Sequence, residues 1–185
     1  EMASLLAELR DFPTMGGRAL VSEVTCAERY QLPPAGPGEP RCHLAVYDFG
    51  CKTNILRQLT HHGAMLTVLP ADTPASEVLA LGVDGVVLSN GPGDPEPLAG
   101  PIAAVRETIA AGLPVFGICL GHQLLGLALG GRTFKLKFGH RGGNQPVRDV
   151  TTGVVTITSQ NHGFAVDEAS LPADCYATEF NLNDG

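Results

Sequence analysis

The stretch Leu113 to Gln123, LPVFGICLGHQ, decides how the chain is organised. Its first part, Pro114 to Ile118, is an apolar run with β-branched Val115 and Ile118, and it predicts a buried strand. The segment after it, Leu120 to Leu129, carries apolar residues at helical spacing and predicts a helix. Cys119 falls between the two, so we expect it at the carboxyl edge of a sheet, on the turn into the helix.

Two glycines flank Cys119, each two residues away, and form the pattern G-x-C-x-G. This is the cysteine version of the G-x-S-x-G nucleophile elbow. The central residue of such an elbow has a strained backbone, and side chains at Gly117 and Gly121 would collide there. The positive end of the following helix predicts a lowered thiol pKa. A lone cysteine is more often a small core residue, but the paired glycines favour a covalent nucleophile.

The rest of the chain alternates between strand and helix signals. Strands are predicted at His43–Asp48, Met65–Leu69 and Gly85–Ser89, and helices at Thr53–His62 and Leu98–Ala111, with Thr73 as the N-cap and Pro74 as the first residue of a further helix. This rhythm predicts an α/β fold, a mainly parallel open sheet with helices on both faces. After Arg132, strands at Thr133–Phe138 and Val154–Ser159 predict an antiparallel extension.

The first part of the chain has a different composition. Residues 1–10 suit the end of a helix that Phe12-Pro13 closes, and Gln31 to Pro40, QLPPAGPGEP, is rich in proline and glycine as linkers are. We therefore expect residues 1–41 to be the tail of an upstream domain plus a linker. Residues 42–185 are expected to form one domain, incomplete at its C-terminal end, so that the sequence is truncated at both ends.

Composition limits the classes of function. The 185 residues are 44% hydrophobic, which is enough for one core of ordinary size. A net charge of −7 disfavours nucleic acid and anionic membranes as partners, and no run approaches the roughly 20 apolar residues that span a bilayer. The five cysteines are scattered without a C-x-x-C pair, which predicts no disulfide framework and no metal site. They favour a reducing, cytoplasmic location.

The loop Ser89 to Pro95, SNGPGDP, follows a predicted strand. Ligands of open α/β sheets bind beyond the carboxyl ends of the strands, so this loop should lie beside Cys119. Its glycines and prolines are also typical of an ordinary turn. Beside an elbow, however, the backbone N–H groups of Leu120 and Gly93 are suited to hold a developing oxyanion. The loop matches no nucleotide-binding pattern.

Together these segments resemble a known family. GICLGHQ preceded by SNGPGDP resembles the class I, triad-type glutamine amidotransferases, which release ammonia from glutamine through a cysteinyl thioester. Three flanking segments are similar to the small, glutaminase subunits of carbamoyl-phosphate synthases: DFGCKTNILRQL (Asp48–Leu59), KFGHRGGNQPV (Lys137–Val147) and SQNHGFAVD (Ser159–Asp167). The resemblance extends from about Val21 to the last residue and implies a flavodoxin-like fold.

The resemblance implies a role for each matching position. Cys119 would be the nucleophile, and glutamine-binding positions would be Gly91, Gly93, Leu120, Gln123, Asn161, Gly163 and Phe164. It also implies a large partner subunit that uses ATP and Mg²⁺ to make carbamoyl phosphate for arginine and pyrimidine synthesis. No cofactor is implied for this chain itself.

One family feature is missing from the sequence. The family's catalytic histidine and its orienting carboxylate lie in an H-P-E sequence, and the 185 residues contain none. We expect it beyond Gly185, and we expect the 185 residues alone to be inactive or nearly so. His140 and His162 are predicted to lie in loops with structural roles, and Asn161 and Gly163 are predicted in a loop at a strand end.

Several alternatives stay open from the sequence. The chain is also compatible with a non-catalytic docking module that resembles an amidotransferase, and with an amidotransferase of the anthranilate or GMP type. A cysteine hydrolase of the α/β-hydrolase kind uses the same elbow. Finally, Cys51, which is next to Lys52 at another strand end, is an alternative reactive thiol.

Overall fold

A computed structural model describes residues 2–184. Its helices are α1 (Met2–Asp11), α2 (Thr53–His61), α3 (Ala75–Ala80), α4 (Ala99–Ala110) and α5 (Leu120–Ala128), and its strands are β1 (Tyr30–Leu32), β2 (Cys42–Asp48), β3 (Ala64–Pro70), β4 (Gly85–Leu88), β5 (Val115–Gly117), β6 (Arg132–Asp149), β7 (Val155–Asp167) and β8 (Glu179–Asn181). The strands form two sheets, one with five strands and one with three.

The five-stranded sheet has the order β1-β3-β2-β4-β5. Strands β2 to β5 are parallel to their neighbours, and β1 pairs antiparallel with β3 at one edge. Parallel strands with crossover helices are buried on both faces and are therefore nearly continuously apolar. The mainly parallel α/β sheet predicted from the sequence is confirmed.

Helices cover both faces of this sheet. On one face, Tyr47 and Leu88 pack with Leu120 and Leu124 of α5 and with Val105 of α4. The opposite face forms a smaller cluster of β-strand residues around Leu56 of α2. Helix α5 is thus fixed against the strands by apolar side chains that are almost completely removed from water, which holds the start of this helix in place.

The antiparallel extension after Arg132 is confirmed, but its strands are longer than predicted. Strands β6 and β7 pair along most of their length, and β8 lies on the other side of β6. His140 pairs directly with His162, so the prediction that these histidines lie in loops was wrong. The register shifts between Lys135 and His140 and again between Gly142 and Gln145, in segments that contain glycines with positive φ. These irregularities break the alternation of apolar residues from which strands are predicted.

The start of α3 also differs from the prediction. Pro74 has an extended backbone and is itself the N-cap, and the helix begins at Ala75. The hydroxyl of Thr73 donates a hydrogen bond to the carbonyl of Pro70 at 2.8 Å. Thr73 therefore closes the turn after β3 and does not cap the helix.

Part of the first 41 residues packs against the sheet. The predicted N-terminal helix is present as α1, apart from Glu1, which lies outside the described residues. Val21 is buried in the same core as α5, and Tyr30–Leu32 supplies the edge strand β1. The assignment of residues 1–41 to an upstream domain and a linker stays a prediction.

None of the helices within residues 2–184 has the length and apolar composition to cross a membrane.

Candidate active site

Cys119 occupies the junction of β5 and α5 with a strained backbone. Its φ is 54° and its ψ is −108°, and within residues 2–184 no other non-glycine residue has a positive φ. Such a conformation costs about 1–3 kcal/mol and persists where the surrounding structure enforces it. The strand, the strained cysteine and the helix together form the predicted elbow.

The two flanking glycines are required by close backbone packing. A Cβ on Gly117 would lie 2.5 Å from the carbonyl oxygen of Gly121. A Cβ on Gly121 would lie 2.2 Å from the carbonyl oxygen of Leu88 in β4. Because real Cβ atoms do not approach backbone this closely, any side chain here would push α5 away from the sheet.

The elbow opens into a cavity of about 730 Å³ between the two sheets. Most of the predicted site residues line it: Gly91, Gly93, Cys119, Gln123, Asn161, Gly163 and Phe164. Leu120 differs, because its side chain is buried in the core while its backbone N–H faces the Cys119 sulfur. The structure therefore brings all the predicted positions to one place. Their roles in binding stay a prediction.

The SNGPGDP loop is tied to the neighbouring strand ends. The Ser89 hydroxyl accepts from the N–H of Phe49 at 2.9 Å. The Asn90 amide accepts from the N–H of Lys52 at 3.0 Å and donates to the carbonyl of Gly50 at 3.0 Å. These bonds fix the first half of the loop next to the cysteine.

The glycines of this loop are in tight contact with other backbone. A Cβ on Gly91 would lie 2.2 Å from the carbonyl oxygen of Phe49, and one on Gly93 would lie 2.5 Å from that of Arg18. Gly93 also has a φ of 95°, which side chains rarely adopt. The loop thus approaches two other segments closely, and the oxyanion role of Gly93 stays a prediction.

Gln123 connects the elbow helix to the second sheet. Its side chain is 5% exposed, and its Nε2 donates a hydrogen bond to the carbonyl of Phe164 at 2.8 Å. A buried polar group without a partner would cost about 1–3 kcal/mol, so this bond holds β7 against α5. It positions one wall of the cavity.

That wall is strand β7 itself. Asn161 and Gly163 were predicted in a loop at a strand end, which was wrong, because both lie within β7 and pair with β6 or flank such pairs. The carbonyl of Asn161 accepts from the Cys119 thiol, with an Sγ to O distance of 3.8 Å. This contact places the sulfur directly against β7.

Burial raises the pKa of the Cys119 thiol, which contradicts the predicted lowering. The helix N-terminus has the predicted effect, because the N–H of Leu120 lowers the thiol pKa. The positive charge of Lys52 also lowers it. Desolvation of the thiolate is the larger effect.

Cys51, the alternative nucleophile, has a less suitable environment. Burial and the charge of Asp48 raise the pKa of its thiol to about 11. It lines a separate pocket of about 400 Å³ on the other side of the strand ends. Its location and pKa favour Cys119 as the reactive thiol.

The cavity is also lined by three cationic side chains that were not predicted as site residues: Lys52, Lys135 and Arg141. Within the described chain, no aspartate or glutamate lines it. Lys135 Nζ and Arg141 Nη2 each lie 3.7 Å from the position that a Cβ on Gly163 would occupy. A protein with a net charge of −7 thus has a positive cavity, suited to an anionic or zwitterionic ligand. Lys135 and Arg141 lie 6 residues apart on an irregular strand, so the sequence carried no periodic signal for them.

Two histidines form a polar pair beside the cavity. His140 Nδ1 and His162 Nε2 are 3.2 Å apart, and His140 Nε2 contacts Asp184 at 2.7 Å. His162 Nδ1 donates to the carbonyl of Phe164 at 2.8 Å. Burial lowers the pKa of His162. His162 is thus hydrogen-bonded to a residue of its own strand. Among residues 2–184, no group of three or more histidine, cysteine, aspartate or glutamate side chains is arranged to hold a metal ion.

The fold and the cysteine elbow define a class of protein. The family model for class I glutamine amidotransferases matches residues 45–185. The chain belongs to this family. Solved structures with the same fold include glutamine amidotransferases from Thermotoga maritima (TM-score 0.54, 19% identity, 68% of this chain and 62% of that one) and Methylobacillus flagellatus (TM-score 0.58, 17% identity, 78% and 63%).

Sequence relatives are more specific. The carbamoyl phosphate synthase small chain of Pseudomonas aeruginosa is 54% identical over 188 residues, which cover 95% of this chain and 50% of the relative. The small chain of Syntrophotalea carbinolica is 53% identical over 192 residues (98% and 50%), and that of Yersinia pseudotuberculosis is 50% identical over 197 residues (100% and 50%). The chain spans about half the length of these curated relatives.

Proposed function

We propose that this chain is the glutaminase part of a carbamoyl-phosphate synthase small chain. Within the whole protein, this part would hydrolyse glutamine to glutamate and ammonia. The observation that carries the proposal is the strained, glycine-flanked Cys119, which opens into a cavity beside the Gly91–Gly93 loop. The identity of 50–54% to small chains along nearly the whole sequence supports the choice among amidotransferases.

The chemistry proposed is acyl transfer through a thioester. The Cys119 sulfur attacks the side-chain amide carbon of glutamine, and the carbonyl oxygen becomes an oxyanion near the N–H groups of Leu120 and Gly93. Each such donor is worth about 2.7–4 kcal/mol in the transition state. A base takes the thiol proton and passes it to the leaving nitrogen, so that ammonia departs. Water then attacks the thioester, which releases glutamate and restores the thiol.

The base in this proposal is the histidine of an H-P-E sequence outside the 185 residues. Burial raises the pKa of the Cys119 thiol, which is why the proposal includes a base. We accordingly propose that the 185-residue chain by itself has little or no glutaminase activity.

The proposal for the whole protein includes a partner. A large subunit would use ATP, Mg²⁺ and bicarbonate with the ammonia released here to form carbamoyl phosphate for arginine and pyrimidine synthesis. The complex would be a cytoplasmic heterodimer at least. Residues 1–41 would connect the glutaminase domain to an upstream domain of the same chain.

The test uses a glutamine-analogue diazo-ketone, which alkylates a thiol that binds glutamine. The full-length protein is treated with the reagent, and the modified peptide is mapped by mass spectrometry. We expect modification at Cys119, protection by glutamine, and no modification in Cys119→Ala. Cys51→Ala is the matched control and should be modified as the wild type is.

Other outcomes separate the alternatives. Modification at Cys51 that spares Cys119 would contradict the assignment of the nucleophile. Absence of modification together with absence of glutamine hydrolysis in the assembled complex would indicate a non-catalytic docking module. Hydrolysis of simple esters without any response to glutamine would indicate a hydrolase.

A further inference from the structure

A chain of hydrogen bonds connects the β7 wall of the cavity to residues behind it. His162 lines the cavity, and its Nδ1 donates to the carbonyl of Phe164 at 2.8 Å. Its Nε2 lies 3.2 Å from Nδ1 of His140, a buried residue of β6. Nε2 of His140 in turn lies 2.7 Å from Oδ1 of Asp184. The chain therefore runs from a half-exposed carboxylate through two imidazoles to the wall of the cavity.

The side-chain amides next to this pair are fixed by their own partners. The N–H of Asn183 donates to Oδ1 of Asn181 at 2.8 Å, so the other end of that amide is the donor Nδ2. Asn181 Nδ2 lies 3.2 Å from Oε1 of Gln160, which must then be an acceptor. Nε2 of Gln160 accordingly donates to the hydroxyl of Thr158 at 3.0 Å. Because Gln160 Oε1 also lies 3.0 Å from Nε2 of His162, an acceptor faces that imidazole nitrogen.

The protons of the two imidazoles can be counted from these partners. The Phe164 carbonyl requires an N–H at Nδ1 of His162, and the Asp184 carboxylate requires one at Nε2 of His140. Two neutral rings would then have no proton on the two nitrogens that face each other. Nε2 of His162 would have two acceptors beside it, Nδ1 of His140 and Oε1 of Gln160. Since a buried lone pair that faces other lone pairs is unfavourable, the geometry favours a third proton on the pair.

The charges around the pair have opposing effects on this third proton. Burial lowers the pKa of His162, and the neighbouring charges of His140 and Arg141 also lower it. His122 of α5 is near enough for the charge of His162 to lower the pKa of His122. Asp184 acts in the opposite direction, because its carboxylate contacts His140 directly. The positive charge is therefore better placed on the pair, with His140 next to the carboxylate, than on His162 alone.

We propose that His140 and His162 share one proton at neutral pH, and that His140 is a positioning residue that acts through His162 on the wall of the cavity. The contact point is the carbonyl of Phe164, which accepts from His162 and also from Gln123 of α5. The shared proton thus holds β7 between β6 and the elbow helix. The predicted glutamine-binding positions of β7 belong to this wall, so the consequence for glutamine rests on the proposed function.

The direction of the pH dependence follows from the proton count. Below the pH at which the pair loses its shared proton, each imidazole nitrogen has a suitable partner. Above that pH, Nε2 of His162 lacks a donor, and the wall is held less firmly. KM for glutamine should therefore rise as the pH increases through this value. We expect kcat to change less, because His140 does not touch the reacting atoms.

The first test is nitrogen NMR of the full-length protein with isotope-labelled histidine, assigned by the signals lost in His140→Asn and His162→Asn. We expect three protonated nitrogens in the pair at neutral pH and one common transition of both rings. Asp184→Asn removes the favourable charge and should move this transition to lower pH by about one unit. Glu179→Gln, which neutralises an exposed acid of β8, is the control and should leave it unchanged. Two neutral rings at neutral pH, or a transition that Asp184→Asn does not move, would overturn the proposal.

The second test measures glutamine hydrolysis by the full-length protein with its partner. His140→Phe fills the space of the ring without any nitrogen, so it should raise KM for glutamine about 5- to 50-fold, since a buried acceptor loses its donor. We expect kcat to fall less than about threefold. His140→Asn keeps an amide donor for His162 but has no titratable group. It should raise KM less than His140→Phe does and should remove the pH dependence of KM that the pair causes.

The outcomes separate this inference from the proposed function. A KM equal to that of the wild type in His140→Phe, or an unchanged pH dependence of KM in His140→Asn, would overturn the positioning role. If His140→Phe does not fold, His140→Asn and Asp184→Asn decide the question. No glutamine hydrolysis in the wild-type complex would overturn the proposed function, and the nitrogen NMR would still decide whether the proton is shared.

Discussion

The strained backbone at Cys119 predicts an order of stability for two substitutions that would not be expected at an unstrained core cysteine. Cys119→Gly and Cys119→Ala both remove the thiol and should both abolish glutamine hydrolysis. They differ in the Cβ atom, which is the source of strain at φ 54° and ψ −108°. Glycine adopts this region readily, whereas alanine keeps the strain. We therefore expect Cys119→Gly to be the more stable variant.

The magnitude follows from two opposing contributions. Relief of the strained conformation contributes about 1–3 kcal/mol in favour of glycine. The greater freedom of glycine in the unfolded chain costs roughly 0.5–1 kcal/mol. The net advantage of Cys119→Gly over Cys119→Ala is then about 0–2.5 kcal/mol, with a midpoint of roughly 1.2 kcal/mol. Each kcal/mol corresponds to a shift in Tm of about 2–4 °C for a chain of this size.

The assay is equilibrium unfolding in urea, supported by the thermal midpoint, on both variants under the same conditions. Because both variants lack the thiol, differences in its burial cancel between them. A higher stability for alanine would show that the backbone at residue 119 is not strained. The elbow, and with it the argument for a nucleophile, would then lose its main structural support.

Two further predictions concern the same elbow. Because burial raises the pKa of the Cys119 thiol, its rate of alkylation by iodoacetamide in the 185-residue chain should still rise above about pH 9. The charge of Lys52 lowers this pKa, so Lys52→Met should shift the pH profile of alkylation to higher pH. A rate that reaches its plateau near neutral pH would contradict this prediction. Gly121→Ala should lower the free energy of unfolding by at least about 1–3 kcal/mol in urea unfolding, since its Cβ would meet backbone. Gly100→Ala, in α4 with open space around it, is the control and should not destabilise; equal effects would refute the steric argument.

Much of the fold follows from local sequence patterns. Strands β2 to β5 are short apolar runs separated by helices, and such consecutive units build a parallel sheet almost regardless of detail. The elbow was predictable because G-x-C-x-G reflects sterics within five residues. In the structure, a Cβ added to Gly117 would lie 2.5 Å from backbone and one added to Gly121 would lie 2.2 Å from backbone, which is the collision that the pattern predicts.

The features that were predicted wrongly or missed depend on contacts between segments that are distant in the sequence. The length of β6 and β7 was missed because bulges near His140 interrupt their alternation, and only the pairing across the sheet keeps these segments extended. The sign of the Cys119 pKa shift was wrong because desolvation depends on what the second sheet covers. The bond of Asp94 to Gly17 spans 77 residues and leaves no local signal.

These long-range contacts place the parts of the site on separate elements. Cys119 belongs to the β5–α5 elbow, the loop with Gly93 follows β4, and the wall with Asn161 belongs to β7. The elbow fixes the position of the sulfur, the Asn161 carbonyl of β7 lies 3.8 Å from it, and burial raises the thiol pKa. The reactivity of Cys119 therefore depends on how β7 covers the elbow as well as on the elbow itself, because desolvation by the covering strand disfavours the thiolate.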